Sequence, residues 1–148
     1  MDKPATSIDV IAKTCIAVRL RLVNRVITSI YDDALRPFGL KVSQANILIV
    51  AGKMEVASPV QVCEYLQLDT STLSRNVELM RKNGWLEDVP TEDARSHPFR
   101  LTAAGKRLIE KAIPAWEKAQ AEARELLGDD FVSLLNKAAK RASDSNRT

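Results

Sequence analysis

One short segment gathers the side chains best suited to recognition chemistry: Thr70-Ser71-Thr72-Leu73-Ser74-Arg75-Asn76-Val77-Glu78-Leu79-Met80-Arg81-Lys82. At 100° per residue, Leu73, Val77 and Met80 share one side and must pack inward. Ser71, Arg75, Glu78 and Lys82 fall opposite, with Thr72 and Ser74 on the flanks. An apolar anchor behind short hydroxyls and a long cation is the pattern of a helix laid into a DNA major groove. Hydroxyls can bond phosphates or base edges, and an Arg can fork onto guanine O6 and N7. Free amides at the helix start can hold a phosphate. The competing reading is the solvated face of an ordinary amphipathic helix. Taken alone, the segment fits that reading better.

The neighbouring elements reverse that weighting. Ser58-Pro59 is a helix start, an N-cap followed by Pro at the first helical position. It opens a two-turn helix bearing Val60, Val62, Cys63 and Leu66, and Gln67-Leu68-Asp69 is a tight connector to the next helix. That next helix begins near Thr70 or Ser71 and stops at Asn83-Gly84. Upstream, Ser43 is a good N-cap for a short helix with Ala45, Ile47, Leu48 and Val50 on its apolar face, and Gly52 is its expected end. Downstream, residues 85–89 read as a strand, residues 90–97 as a polar turn, and Phe99-Arg100-Leu101 as the returning strand. Pro98 lacks the amide a ladder needs and should shorten the pairing. Three short helices and a hairpin make a winged helix-turn-helix.

The turn carries Glu92, Asp93, Ala94, Arg95 and His97. An Arg projecting from a wing can enter a minor groove. It can equally pair with Asp93 or Glu92 in a plain polar loop, and spacing does not choose between the two.

Long helices flank this unit. From Ile8 to Leu35 apolar residues recur at helical spacing in two stripes: Ile8, Ile11, Cys15, Val18, Leu22, and Ile16, Leu20, Val23, Ile27, Ile30. One helix apolar on two sides should be buried between two partners. Arg36-Pro37-Phe38-Gly39 ends it. Thr102 caps a second long helix through Leu127, with Pro114 expected to kink it and Gly128 to close it. A last helix starts at Asp129-Asp130 and frays from Ser143. The fold class expected is mainly α with a small β-hairpin: a winged helix-turn-helix flanked by N- and C-terminal dimerisation helices. The parts are 1–36, an N-terminal dimerisation helix; 37–101, the winged helix-turn-helix; and 102–148, C-terminal dimerisation helices.

These pieces together resemble the MarR/SlyA family of bacterial transcriptional regulators. The resemblance spans about Cys15 to Gly128. It rests on Leu68-Asp69-Thr70-Ser71-Thr72-Leu73-Ser74-Arg75, Asn83-Gly84-Trp85-Leu86, Asp93-Ala94-Arg95 and Leu101-Thr102-Ala103-Ala104-Gly105, in that order. It implies a homodimer that represses at a palindromic operator in double-stranded DNA, with a small-molecule effector pocket between its dimerisation and DNA-binding parts. Ser71, Thr72, Ser74 and Arg75 would lie in the major groove. Arg95 would enter the minor groove, with Asp93 holding the wing tip; Lys82 joins the expected DNA-binding set from its place on the outward face. Glu87 and Asp88 depart from the family pattern, which usually has a basic residue there.

Composition bounds the alternatives. The chain has 148 residues, with 22 Lys+Arg against 19 Asp+Glu and one His. A pI near 9.0 permits nucleic-acid binding without demanding it. Residues 70–107 hold seven basic and five acidic side chains, a modest excess, while residues 108–148 balance at seven each. Two Cys and one His give neither a disulfide scaffold nor a zinc spacing. No phosphate loop, nucleophile elbow or catalytic dyad is present, so an enzyme has no residues to stand on, and no cofactor or metal is expected. The N-terminus, Met1-Asp2-Lys3-Pro4, is polar, and the longest apolar run, Ile47-Leu48-Ile49-Val50-Ala51, is far short of the ~20 residues a spanning helix needs. No membrane partner is expected, and cytoplasmic residence is the default.

Three residues have an open role in sensing. Some members of the family it resembles, the organic-hydroperoxide repressors, use a Cys near the position of Cys15, and the resemblance would then imply a thiol-based peroxide-sensing repressor. Cys15 also fits the apolar stripe, and an inert buried thiol is the better fit; Cys63 reads as core. Tyr31 and Trp116 can line a cavity for an aromatic effector, though the core suits them better. A third class, a winged-helix module that binds protein, draws on the low net charge and the acidic wing stem.

Overall fold

The computed structural model describes residues 4–146, so the polar opening at residues 1–3 lies outside the described residues. The element order is α1 (Ser7–Thr14), α2 (Ile16–Leu35), a 3₁₀ turn (Arg36–Phe38), α3 (Val42–Met54), α4 (Pro59–Leu66), α5 (Thr70–Lys82), β1 (Leu86–Asp88), β2 (Phe99–Leu101), α6 (Ala103–Leu127) and α7 (Asp129–Ser145). Helices dominate, with one small antiparallel hairpin.

The long N-terminal helix expected over residues 8–35 is two helices. Thr6 and Asp9 form a reciprocal capping box that starts α1. The Thr14 hydroxyl then donates back to the Val10 carbonyl at 2.6 Å, a bond that competes with helical continuation. Cys15 is extended (φ −61°, ψ 115°), and α2 restarts after it.

The start of α3 also differs. Its N-cap is Lys41, not Ser43, because the acceptor comes from another helix: Asp32 Oδ1 on α2 takes the Val42 amide at 2.8 Å. Gly52 does not end α3, which runs on to Met54 and stops at Glu55, a residue with φ 64°. A Cβ at position 52 would lie 3.1 Å from Leu101 Cδ2, so Gly52 serves the close packing of α3 on β2. At the other end of the chain, α7 stays helical through Ser145 rather than fraying from Ser143. α6 passes through Pro114 as one continuous helix.

In the hairpin, Leu86 pairs with Leu101, Glu87 with Arg100 and Asp88 with Phe99. Pairing stops beside Pro98, as expected: the Val89 amide donates to the Pro98 carbonyl at 3.0 Å, but Pro98 has no amide to return to Val89, and the strands end at Asp88 and Phe99. A third segment joins this sheet: Ala57 donates to the Phe99 carbonyl at 2.8 Å and accepts from its amide at 3.0 Å. Phe99 is thus paired on both sides and buried.

The core lies inside this unit. Leu35, Ile47, Leu48, Val62, Leu73, Met80, Leu86 and Phe99 are its largest fully buried side chains, from α2–α5 and the hairpin. α6 packs on α2, and its buried residues include Ala112, Ala119 and Ala123. The outer helices are another matter. α1 and α7 bury no residue, and α2 buries only Leu35. Ile8, Ile11, Ile16, Leu22 and Leu134 are each at least 60% exposed. No helix among the described residues is long and apolar enough to cross a membrane.

Candidate nucleic-acid interface

α5 is set in place from both ends. At its start Asp69 is the N-cap: Oδ1 accepts from the Thr72 amide (2.7 Å) and the Ser71 hydroxyl (2.7 Å), and Oδ2 accepts from the Thr72 hydroxyl (2.8 Å). These bonds favour the ionised form. The Ser71 hydroxyl, then the Thr72 amide and hydroxyl, hold the Asp69 carboxyl down at about 2. Before it, Gln67 turns the chain in the left-handed region (φ 53°), and its side-chain amide donates to the Glu64 carbonyl at 2.6 Å. At the far end Arg81 donates to Glu78 and to Asp88 on β1, each at 2.7 Å, tying α5 to the wing stem.

The inward face is as expected: Leu73, Val77 and Met80 are buried. Ser71, Ser74, Arg75 and Lys82 are exposed, and Thr72 is half-buried. Arg75 forms no salt bridge among the described residues, while Lys82 lies 3.8 Å from Glu78.

The wing tip is organised by Asp93. Its Oδ1 accepts the Arg95 amide at 3.0 Å, and its carbonyl accepts the Ser96 amide (3.2 Å) and hydroxyl (2.9 Å). Asp93 therefore bonds the Arg95 backbone, not its guanidinium, and the exposed Arg95 side chain has no salt bridge among the described residues. His97 holds a positive φ of 40° just before Pro98. The two acidic departures are neutralised: Glu87 takes Arg100 Nε at 2.7 Å, and Asp88 takes Arg81.

A cleft of about 650 Å³ joins the two elements, with Ser74 and Arg81 of α5 on one wall and Asp93 and Arg95 of the wing on the other. Ser71, Thr72, Arg75 and Lys82 lie outside that cleft, along the exposed run of α5.

Cys15, Tyr31 and Trp116 are not brought together. Cys15 sits half-buried at the α1–α2 break, and Tyr31 is sixteen residues along α2, about 24 Å away at helical rise. Neither aromatic is core. Trp116 is 40% exposed, and half-buried Tyr31 donates its hydroxyl to Gln120 across the α2–α6 seam. Cys63 packs half-buried against the core; burial, with Asp69 second, pushes its thiol up, away from the reactive thiolate.

Two contributors have no counterpart among the expected site residues. Asp69 was legible as an Asp preceding a helix. Gln44 was not. It is buried on α3, its Oε1 takes the Lys41 amide at 3.0 Å, and its Nε2 points to Asn76 Oδ1 on α5 at 3.5 Å. Asn76 in turn donates to the Thr72 carbonyl at 2.9 Å.

Three helices, the tight α4–α5 turn and a wing with an exposed Arg define a winged helix-turn-helix, and residues 40–105 match the family model described as a winged helix DNA-binding domain. The transcriptional regulator MOSR of M. tuberculosis, solved in complex with DNA, superposes with a TM-score of 0.76 at 30% identity, over 91% of this chain and 100% of that one. A mutant MarR of E. coli complexed with operator DNA gives 0.79 at 21% identity, over 89% and 96%. The HTH-type transcriptional regulator PecS of Dickeya dadantii is 27% identical over 133 residues, 79% of this chain and 80% of PecS. YwoH of Bacillus subtilis, an HTH-type transcriptional regulator, is 26% identical over 87 residues, and the match spans 64% of its length. The chain belongs to the MarR family and is a DNA-binding winged-helix transcriptional regulator of that type.

Proposed function

We propose that the protein works as a homodimeric repressor at a palindromic operator, with α5 in the major groove, the wing in the minor groove, and a small-molecule effector that releases it. The observation that carries this reading is the pair of exposed cations on adjoining elements. Arg75 stands on the outward face of α5 and Arg95 on the wing, neither in a salt bridge among the described residues. Ser71, Thr72 and Ser74 line the same approach; Lys82 extends it, and Asp93 fixes the tip.

Dimerisation is supported by the apolar faces of α1, α2 and α7. Each Ile or Leu taken from exposure to full burial contributes about 1.5–3 kcal/mol, and those helices present several. The division into 1–36, 37–101 and 102–148 follows from this reading. For the effector, a cavity of about 580 Å³ lies between α2 and α6, lined by Leu22, Val26 and Ile30 with Arg25 and Lys118 at its polar edge. That volume suits a small ligand. The acidic stem that favoured a protein partner is charge-compensated by Arg81 and Arg100.

Footprinting on the DNA upstream of the protein's own gene tests this reading. Two symmetric protected half-sites about 10 base pairs apart, filled by two protomers, are the expected result. A single asymmetric site filled by one protomer would overturn it.

A further inference from the structure

Asp69 has a second consequence for recognition. A hydroxyl has one proton and two lone pairs. The Ser71 proton goes to Asp69 Oδ1 and the Thr72 proton to Oδ2, at 2.7 and 2.8 Å. An ionised carboxylate only accepts, so neither bond can reverse its direction. Because the Asp69 carboxyl is held at about 2, it stays ionised at every pH at which a DNA duplex is studied. What Ser71 and Thr72 present outward is therefore lone pairs. Ser74, two residues on, has no hydrogen bond to constrain its hydroxyl among the described residues, and it is free to donate or accept.

We propose that Asp69 is a specificity-determining residue that sets the polarity with which α5 reads DNA: Ser71 and Thr72 accept, and so select base edges that donate. In the major groove those are the exocyclic amino groups of adenine N6 and cytosine N4. Phosphate oxygens only accept, so these two hydroxyls do not anchor the backbone. The inference rests on the reading that α5 enters the major groove.

The Asp69→Asn variant separates the two hydroxyls. The Thr72 amide requires an oxygen at the Oδ1 position, where the Ser71 proton also lands. The amide nitrogen must then take the Oδ2 position and donate to Thr72 Oγ1. Thr72 turns its proton outward and becomes a donor, while Ser71 stays an acceptor.

Functional-group deletion across the footprinted operator tests this. Purine replaces adenine and 2-pyrimidinone replaces cytosine to remove amino groups; 7-deaza purines remove N7, and an O4-lacking analogue replaces thymine. Binding is read by fluorescence anisotropy. One amino deletion per half-site should weaken wild-type binding about three- to tenfold, the span of one neutral hydrogen bond, and have no effect on Ser71→Ala. A second amino deletion should behave the same way with Thr72→Val. In Asp69→Asn the Thr72-dependent sensitivity should move to an acceptor deletion. If Ser71→Ala cancels an acceptor deletion, or no deletion at all, the inference is overturned. Should Asp69→Asn fail to fold, the Ser71→Ala and Thr72→Val arms decide alone. Arg75→Ala in the same scan keeps the premise separate. If it cancels a guanine deletion while Ser71→Ala cancels nothing, only this inference falls. If Arg75→Ala cancels nothing either, the placement of α5 in the major groove falls with it.

Discussion

Replacing Gly105 by Ala should destabilise the protein, although the same change in an exposed helix stabilises it. Gly105 lies in the first turn of α6, and a Cβ there would sit 2.4 Å from the Trp85 carbonyl oxygen and 2.7 Å from Leu101 Cδ1. The first contact is with backbone. The Trp85 oxygen already accepts the Thr102 amide at 3.0 Å, and the Thr102 hydroxyl holds the neighbouring Gly84 carbonyl at 2.6 Å, so that strand start cannot easily shift. Overpacking of a tight site costs about 1–3 kcal/mol, and a backbone clash belongs at the upper end. The helix-propensity gain of Ala over Gly returns about 1 kcal/mol. The net expectation is a loss of about 2 kcal/mol, or about 4–8 °C in Tm for a chain of this size. Gly52→Ala is the control. Its Cβ would meet only the end of the Leu101 side chain at 3.1 Å, so strain and propensity should nearly cancel. Urea unfolding at one fixed protein concentration reads both. If Gly105→Ala is as stable as the parent, or Gly52→Ala is the worse of the two, the close approach of α6 to the wing is not what positions the hairpin.

Other expectations follow from separate parts of the molecule. Gln44→Leu leaves the Lys41 amide without its side-chain acceptor and removes the partner of Asn76; a loss of about 1–3 kcal/mol in urea unfolding is expected, and an unchanged midpoint would contradict it. The Asp69 carboxyl, lowered from 3.8 to about 2, supports the fold fully above pH 3.8 and loses that support as pH falls through about 2. Its carboxyl carbon should titrate near 2 by NMR and move upward in Ser71→Ala; a midpoint at 3.8 in the parent would refute the capping geometry. Ile16→Glu and Leu134→Glu each place a charge on an exposed apolar face, and sedimentation should show monomers at micromolar concentration with helical content kept. Unaltered dimers in both would remove those faces from the interface.

What was legible in the sequence was local. Ser58-Pro59 opens α4 because the N-cap and first-position preferences act within one turn, and the bounds of α5 follow from Asp69, Leu73, Val77, Met80 and Asn83-Gly84 in the same way. The two strands of the hairpin were readable as short apolar runs around a polar turn, though their register was not. What escaped depends on residues far apart in the chain. The cap of α3 is Asp32, ten residues before the amide it holds. The third segment of the sheet is Ala57, forty-two residues from Phe99. Gln44 reads as a stray polar residue in an apolar helix until Asn76 is beside it. The break at Cys15 lay hidden because the apolar stripes continue through it and only the Thr14 side chain marks the stop. Within the interface, the outward placement of Arg75 was readable from periodicity. Whether Asp93 bonds the Arg95 backbone or its guanidinium was not, since both pairings have the same spacing.

The most direct measurement is the ratio of affinities for the footprinted operator and for scrambled DNA of equal length, compared between the parent and Arg75→Ala at one salt concentration. An Arg forked onto a guanine edge contributes about 1–3 kcal/mol of discrimination, so that ratio should fall about five- to hundredfold while binding to scrambled DNA changes little. An Arg75→Ala protein that keeps the parent's ratio would contradict the account.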